Sequence, residues 1–333
     1  MSENNIGRLA ANNSLLSQES HLFHLARTGH LRLPHSWLAK YPLLIDKALY
    51  PAALLLFAYL APLLSAVLGL PLQAVALFLP GIQQSAAGLF LLLIASFLPL
   101  FFLVWLWLLI VEQRPLWTTG MERPLLRKYL RGLGVGLLMF TAAIIALALI
   151  DTVVTETAVA ERLTPVAVGG TLLIFLGWMV QGAAEEVLAR GLLLPALGVR
   201  WGPLAGVLVS SLFFALLHLS NPHLSLISLV NLGLFGVFAS LYALFEGGLW
   251  GIFAIHAVWN WAQGNLFGFP VSGLDSSAGI LLDLMEVGPD WLTGGPFGPE
   301  GGLAVTFVLL ISSLLLWFAG RRRRNQTESK NRG

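Results

Sequence analysis

Apolar residues occur along this chain in blocks long enough to cross a bilayer, separated by short polar segments. The blocks 89–111 and 303–320 contain no charged residue at all. A hydrocarbon core ~30 Å thick takes roughly 20 residues of helix, so blocks of this length predict transmembrane helices. Eight are expected, over 50–70, 88–111, 133–150, 168–197, 203–219, 224–245, 249–267 and 303–320. The fourth exceeds one simple crossing, which predicts a broken, tilted or partly extramembrane helix. The pattern therefore predicts an all-α fold, a polytopic bundle of about eight helices over residues 49–320. A polar leader, 1–48, precedes it, and a polar tail, 321–333, expected to be disordered, follows.

Charge refines this picture into a topology. The leader carries Arg27, Arg32, Lys40 and Lys47, the next basic loop Arg114, Arg123, Arg127, Lys128 and Arg131, and Arg200 follows block four. Between these lie the uncharged loop 71–87, the acidic-on-balance loop 151–162 and the loop 268–302. The last has Asp275, Asp283, Glu286, Asp290 and Glu300 but no Lys or Arg. Arg321–Arg324 directly follow the last block and read as a topology anchor. This alternation predicts a multi-pass protein of the plasma membrane with both termini cytoplasmic.

Composition closes several classes. Hydrophobic residues make up 57% and charged residues 11%, against about 25% charged in an ordinary globular chain. Cysteine is absent, which excludes disulfides, thiolate metal sites and a cysteine nucleophile. The basic residues are juxtamembrane, so no nucleic-acid partner is expected. No apolar h-region precedes Pro51, so no cleaved signal peptide is expected. His21, His24, His30 and His35 are irregularly spaced, which favours an interfacial or loosely ordered leader over a metal site.

Ionisable groups inside apolar spans cost at least about 2.5–3.5 kcal/mol each at mid-helix on insertion scales, so their spacing is informative. Glu185 and Glu186 precede Arg190 in the form EExxxR. Glu186 and Arg190 are four apart and share a helix face, whereas Glu185 points about 100° away. One carboxylate is then neutralised and the other left free, as a general base requires. His218 ends an apolar run that includes Phe214. His256 and Asn260 again share a face, two donors suited to a developing oxyanion. Each cluster alone also reads as an interfacial salt bridge, a packing histidine or interhelical hydrogen bonding. Counted from Arg200 and Trp201, Glu185 and His218 lie at roughly equal depth, about 22–26 Å. His256 counts shallower, about 12 Å from the start of its helix. No serine stands near a base, and no aspartate lies mid-span.

At these residues the chain resembles the CAAX protease and bacteriocin-processing (CPBP, or ABI) family, marked by EExxxR, FxxxH and HxxxN in three successive membrane helices. Here the motifs read Glu185-Glu186…Arg190, Phe214…His218 and His256…Asn260, and the likeness covers about 168–268. The resemblance implies an intramembrane endopeptidase acting on a membrane-associated or lipid-anchored protein or peptide. Glu185 and His218 would activate water, His256 and Asn260 would form the oxyanion site, and Glu186, Arg190 and Phe214 would support them. No cofactor is expected; zinc stays open because one Glu and two His form a possible ligand set, although HExxH is lacking. Two other classes remain in view, a non-catalytic membrane scaffold or immunity protein and a proton-coupled transporter. The intact motifs weigh against the first. The lack of a paired internal repeat weighs against the second.

Overall fold

The computed structural model describes residues 15–27, 42–78, 81–82, 85–156, 164–275 and 278–330. It is an essentially all-α bundle, as the apolar blocks predict. Its helices are α1 (His21–Arg27), α2 (Tyr50–Phe78), α3 (Ala86–Trp107), α4 (Leu126–Ala148) and α5 (Pro165–Glu186). They continue with α6 (Leu194–Trp201), α7 (Pro203–Leu216), α8 (Leu226–Glu246), α9 (Trp250–Trp261) and α10 (Leu303–Lys330). Six helical segments among the described residues are long and apolar enough to cross a membrane, including the 37-residue rod Pro165–Trp201. This is an integral membrane protein. The shorter α7 and the central α9 account for the other two expected segments.

The rod is one continuous helical path rather than a broken one. A π-helical stretch, Val187–Leu193, joins α5 to α6, and such wide turns absorb an extra residue without ending the helix. Every residue of α9 from Gly251 to Asn260 is buried. This helix is wrapped by α4 and α5 on its flanks, so it needs no lipid-facing side and tolerates polar residues that lipid would penalise. Close approach of α4 depends on glycine: a Cβ at Gly136 would lie 2.6 Å from Val258 Cγ1 and 2.8 Å from the Ile255 carbonyl oxygen.

The two ends of the bundle differ in charge. At one end Arg131 pairs with Glu246 (2.5 Å), Arg200 with Asp46 (3.0 Å) and Arg114 with Glu112 (2.5 Å). There α1 packs Leu22, Phe23 and Leu25 into the core, and His21 bonds Glu122. The described part of the leader is thus docked on the bundle, because its apolar positions find a groove at Gly198 that a larger side chain would fill. His30 and His35 lie outside the described residues. The opposite end carries the acidic loop 268–302, tied down by a two-stranded ribbon of β1 (Val153–Thr155) and β2 (Leu284–Glu286). The tail also differs from expectation: α10 continues to Lys330 instead of ending at the membrane.

Candidate active site

The site begins with helix geometry on α5. Glu186 and Arg190 share a face, and the Arg190 guanidinium donates to Glu186 Oε1 at 2.9 Å, with both side chains fully buried. The same oxygen meets His256 Nδ1 at 2.9 Å. A carboxylate only accepts, so this contact places a proton on Nδ1. Glu185 points elsewhere, as the 100° rotation demands. Its Oε2 lies 3.7 Å from His256 Nε2 and has no hydrogen-bond partner among the described residues.

His218 stands in the turn just past α7 rather than on the helix, whose last residue is Leu216. The cause is local: a helix leaves its final carbonyls unpaired, and His218 Nδ1 bonds the Phe214 carbonyl at 2.8 Å. That acceptor fixes the proton on Nδ1, leaving Nε2 as the lone-pair nitrogen of the neutral ring. The four-residue spacing of FxxxH is therefore the spacing of a helix-ending side-chain bond. Phe214 also lies beneath Arg190, whose guanidinium carbon is 4.5 Å from the ring centroid, so one aromatic side chain braces both clusters.

Asn260, one turn beyond His256, donates from Nδ2 to Gln181 Oε1 at 2.9 Å. α5 and α9 run antiparallel and form two rungs, Glu186–His256 and Gln181–Asn260. The carboxamide of Asn260 has a second N–H beyond the one given to Gln181.

Glu185, His218, His256 and Asn260 line one cavity of about 40 Å³ together with Gln181 and Phe214. A water needs about 10–15 Å³ of such space, so this cavity has room for water. A second cavity of about 560 Å³ shares Glu185, His218 and Asn260 and continues along Leu93, Phe97, Trp178 and Phe213. Its size falls within the roughly 300–1,000 Å³ typical of ligand pockets. It extends to Asn221, Leu274 and Asp275 at the acidic end.

The shallow count for His256 has a structural explanation. Gly191, not Arg200, is level with the start of α9: a Cβ there would lie 3.0 Å from Leu249 Cδ1. From that level the rod runs nine residues to Arg200, about 14 Å of helix, which accounts for the offset in the count. Sequence reasoning missed Gln181, although a glutamine one turn before Glu185 in an apolar span was a usable signal. It also missed Glu300 and Ser272, which enter the small cavity from the acidic loop; only the loop's lack of counter-charges hinted at them. Among the described residues no three His, Asp or Glu side chains converge as metal ligands.

Residues 167–262 match the family model described as type II CAAX prenyl endopeptidase Rce1-like. This is the CAAX-protease family that the three motifs resemble, and at family level it supports a CAAX-type intramembrane endopeptidase, a protease. No curated protein and no solved structure matches the chain.

Proposed function

We propose that this chain, with its CAAX-type protease segment at 167–262, is a glutamic intramembrane endopeptidase that hydrolyses a peptide bond in a membrane-inserted or lipid-anchored substrate. The observation that carries the reading is the convergence on one small cavity of Glu185, His218, His256 and Asn260. In this reading Glu185 Oε2 takes a proton from water while the lone pair of His218 Nε2 orients it. The water oxygen bonds to the carbonyl carbon, and the resulting oxyanion is held by His256 and the second N–H of Asn260. With Nδ1 committed to Glu186, His256 donates from Nε2 only as imidazolium. Its charge and that of Arg190 then cancel those of Glu185 and Glu186. The C–N bond breaks, and the departing amine takes up one proton.

The larger cavity supports the substrate class, since an apolar trough beside a water-holding site suits a chain segment or lipid anchor drawn from the bilayer. The charge asymmetry supports an orientation with both termini and the basic end cytoplasmic. On that orientation the cavity reaches the non-cytoplasmic face, and the scissile bond enters from there. Because the chain has no native cysteine, single cysteines placed at Asp275 and at Arg127 give a direct labelling test. An impermeant thiol reagent added outside cells should modify the first only.

Catalysis is tested by cleavage of a membrane-peptide library in proteoliposomes. Wild type should cleave in the presence of a chelator. Glu185→Gln and His218→Ala should each lose about 10²–10⁴-fold, the range for general acid–base groups. Equal cleavage by wild type and Glu185→Gln would overturn the assignment, and loss of wild-type activity in chelator would favour a metal enzyme.

A further inference from the structure

The acidic loop contributes to the small cavity a carboxyl that neither the motifs nor the matched segment contains. Glu300 is 9% exposed and lines that cavity with Glu185, His218, His256 and Asn260. Its Oε1 accepts a hydrogen bond from Ser272 Oγ at 2.6 Å.

Its backbone is held as firmly as its side chain. Asn231 on α8 donates to the carbonyls of Glu300 (2.8 Å) and Gly302 (2.9 Å), and Thr306 in turn donates to Asn231 Oδ1 at 2.7 Å. This is an expensive arrangement for a solvating surface acid. A buried polar side chain without a structural ion pair, fixed at the wall of a reaction cavity, is the pattern expected of a functional group. The loop 268–302 contains no Lys or Arg, and no described cation forms an ion pair with Glu300. The titratable groups facing it are His218 and His256, with Glu185 across the cavity and the Glu186–Arg190 pair behind His256. Burial pushes the Glu300 carboxyl above the ordinary carboxylate range, against the pull of Ser272 and the two histidines, which favours the protonated acid.

We propose that Glu300 is the acid of this cavity, giving its proton to the amine nitrogen as the peptide C–N bond breaks. The proposal rests on the peptidase reading above and completes its proton balance. One water proton goes to Glu185 as the water oxygen bonds to carbon. The electron pair of the breaking C–N bond takes the proton of Glu300. Glu300 is then reprotonated from Glu185 through His218, and the net change is one water consumed. Two carboxyls with opposite duties in one site require environments that separate them, and here Glu185 Oε2 faces His256 Nε2 at 3.7 Å while Glu300 is enclosed by its loop and bonded to Ser272.

The test compares two leaving groups in proteoliposomes containing the full chain. One substrate is a membrane peptide cut by wild type at an amide. The other is the same acyl segment as a p-nitrophenyl ester, whose phenolate departs without a proton. Glu300→Gln should cut the amide about 10²–10³-fold more slowly yet stay within about threefold of wild type on the ester. Glu300→Asp should recover part of the amide rate. A Glu300→Gln variant that loses both substrates equally, or neither, overturns the proposal. Glu185→Gln is the separate control: it should lose both substrates, and wild-type-like amide cleavage by it would remove the peptidase reading itself.

Discussion

Replacing Arg190 with methionine removes the guanidinium bonded to Glu186 while keeping an unbranched side chain of similar reach. Both members of that pair are fully buried, 2.9 Å apart, so solvent cannot take over the role of the lost partner. Deleting one member of a buried pair costs about 3–5 kcal/mol, because the remaining charge is left uncompensated. Glu186 keeps the His256 Nδ1 bond at 2.9 Å, which puts the expected cost near the lower limit, about 3 kcal/mol. Loss of the guanidinium from the Phe214 face adds to this, by up to about 2 kcal/mol where desolvated. A whole domain is stable by only about 5–15 kcal/mol, so the variant should unfold at markedly lower denaturant. The informative comparison is the double variant Glu186→Gln/Arg190→Met, which removes both charges and should be more stable than Arg190→Met alone. The assay is reversible unfolding by SDS titration in mild detergent, analysed as a double-mutant cycle. An Arg190→Met variant within about 0.5 kcal/mol of wild type would refute the reasoning, as would a double variant no better than the single.

Three further outcomes are expected. Gln181→Leu leaves the Asn260 carboxamide without its 2.9 Å anchor; kcat should fall about tenfold with KM little changed, and an unaltered kcat would show that Asn260 is positioned by other contacts. Gly136→Leu drives a side chain into Val258 and the α9 backbone, and such overpacking should cost about 1–3 kcal/mol in the same SDS assay; no change would mean that α4 and α9 separate freely. Glu286 has its carboxyl pushed from 4.5 up to about 8 by burial. Folding therefore takes up a proton between those values, and the Val153–Thr155/Leu284–Glu286 ribbon should lose stability as pH rises from about 5 to about 8. Hydrogen exchange of the ribbon amides, corrected for intrinsic rate, should show that slope in wild type and not in Glu286→Gln, and an equal slope in both would exclude Glu286 as its source.

What the sequence determined by itself was everything with a short physical range. Bilayer thickness converts apolar run length into helices, so all eight segments could be located along the chain. Helix pitch places residues four apart on one face, so Glu186 with Arg190 and His256 with Asn260 were legible as pairs, and Glu185 as the residue turned away. The bond from His218 to the Phe214 carbonyl is equally local, although it ends α7 there instead of extending it. Tertiary structure decided which of these faces meet. The extension of the rod past the start of α9 brings His256 level with Glu186, a displacement no rigid residue count contains. The same packing lets α9 be polar, because its neighbours rather than lipid cover it. Gln181 and Glu300 depend on partners 79 residues away on another helix and 28 residues away across a folded loop. No periodicity records such contacts, since loop closure is set by the energy of the completed fold and not by the spacing of residues along the chain.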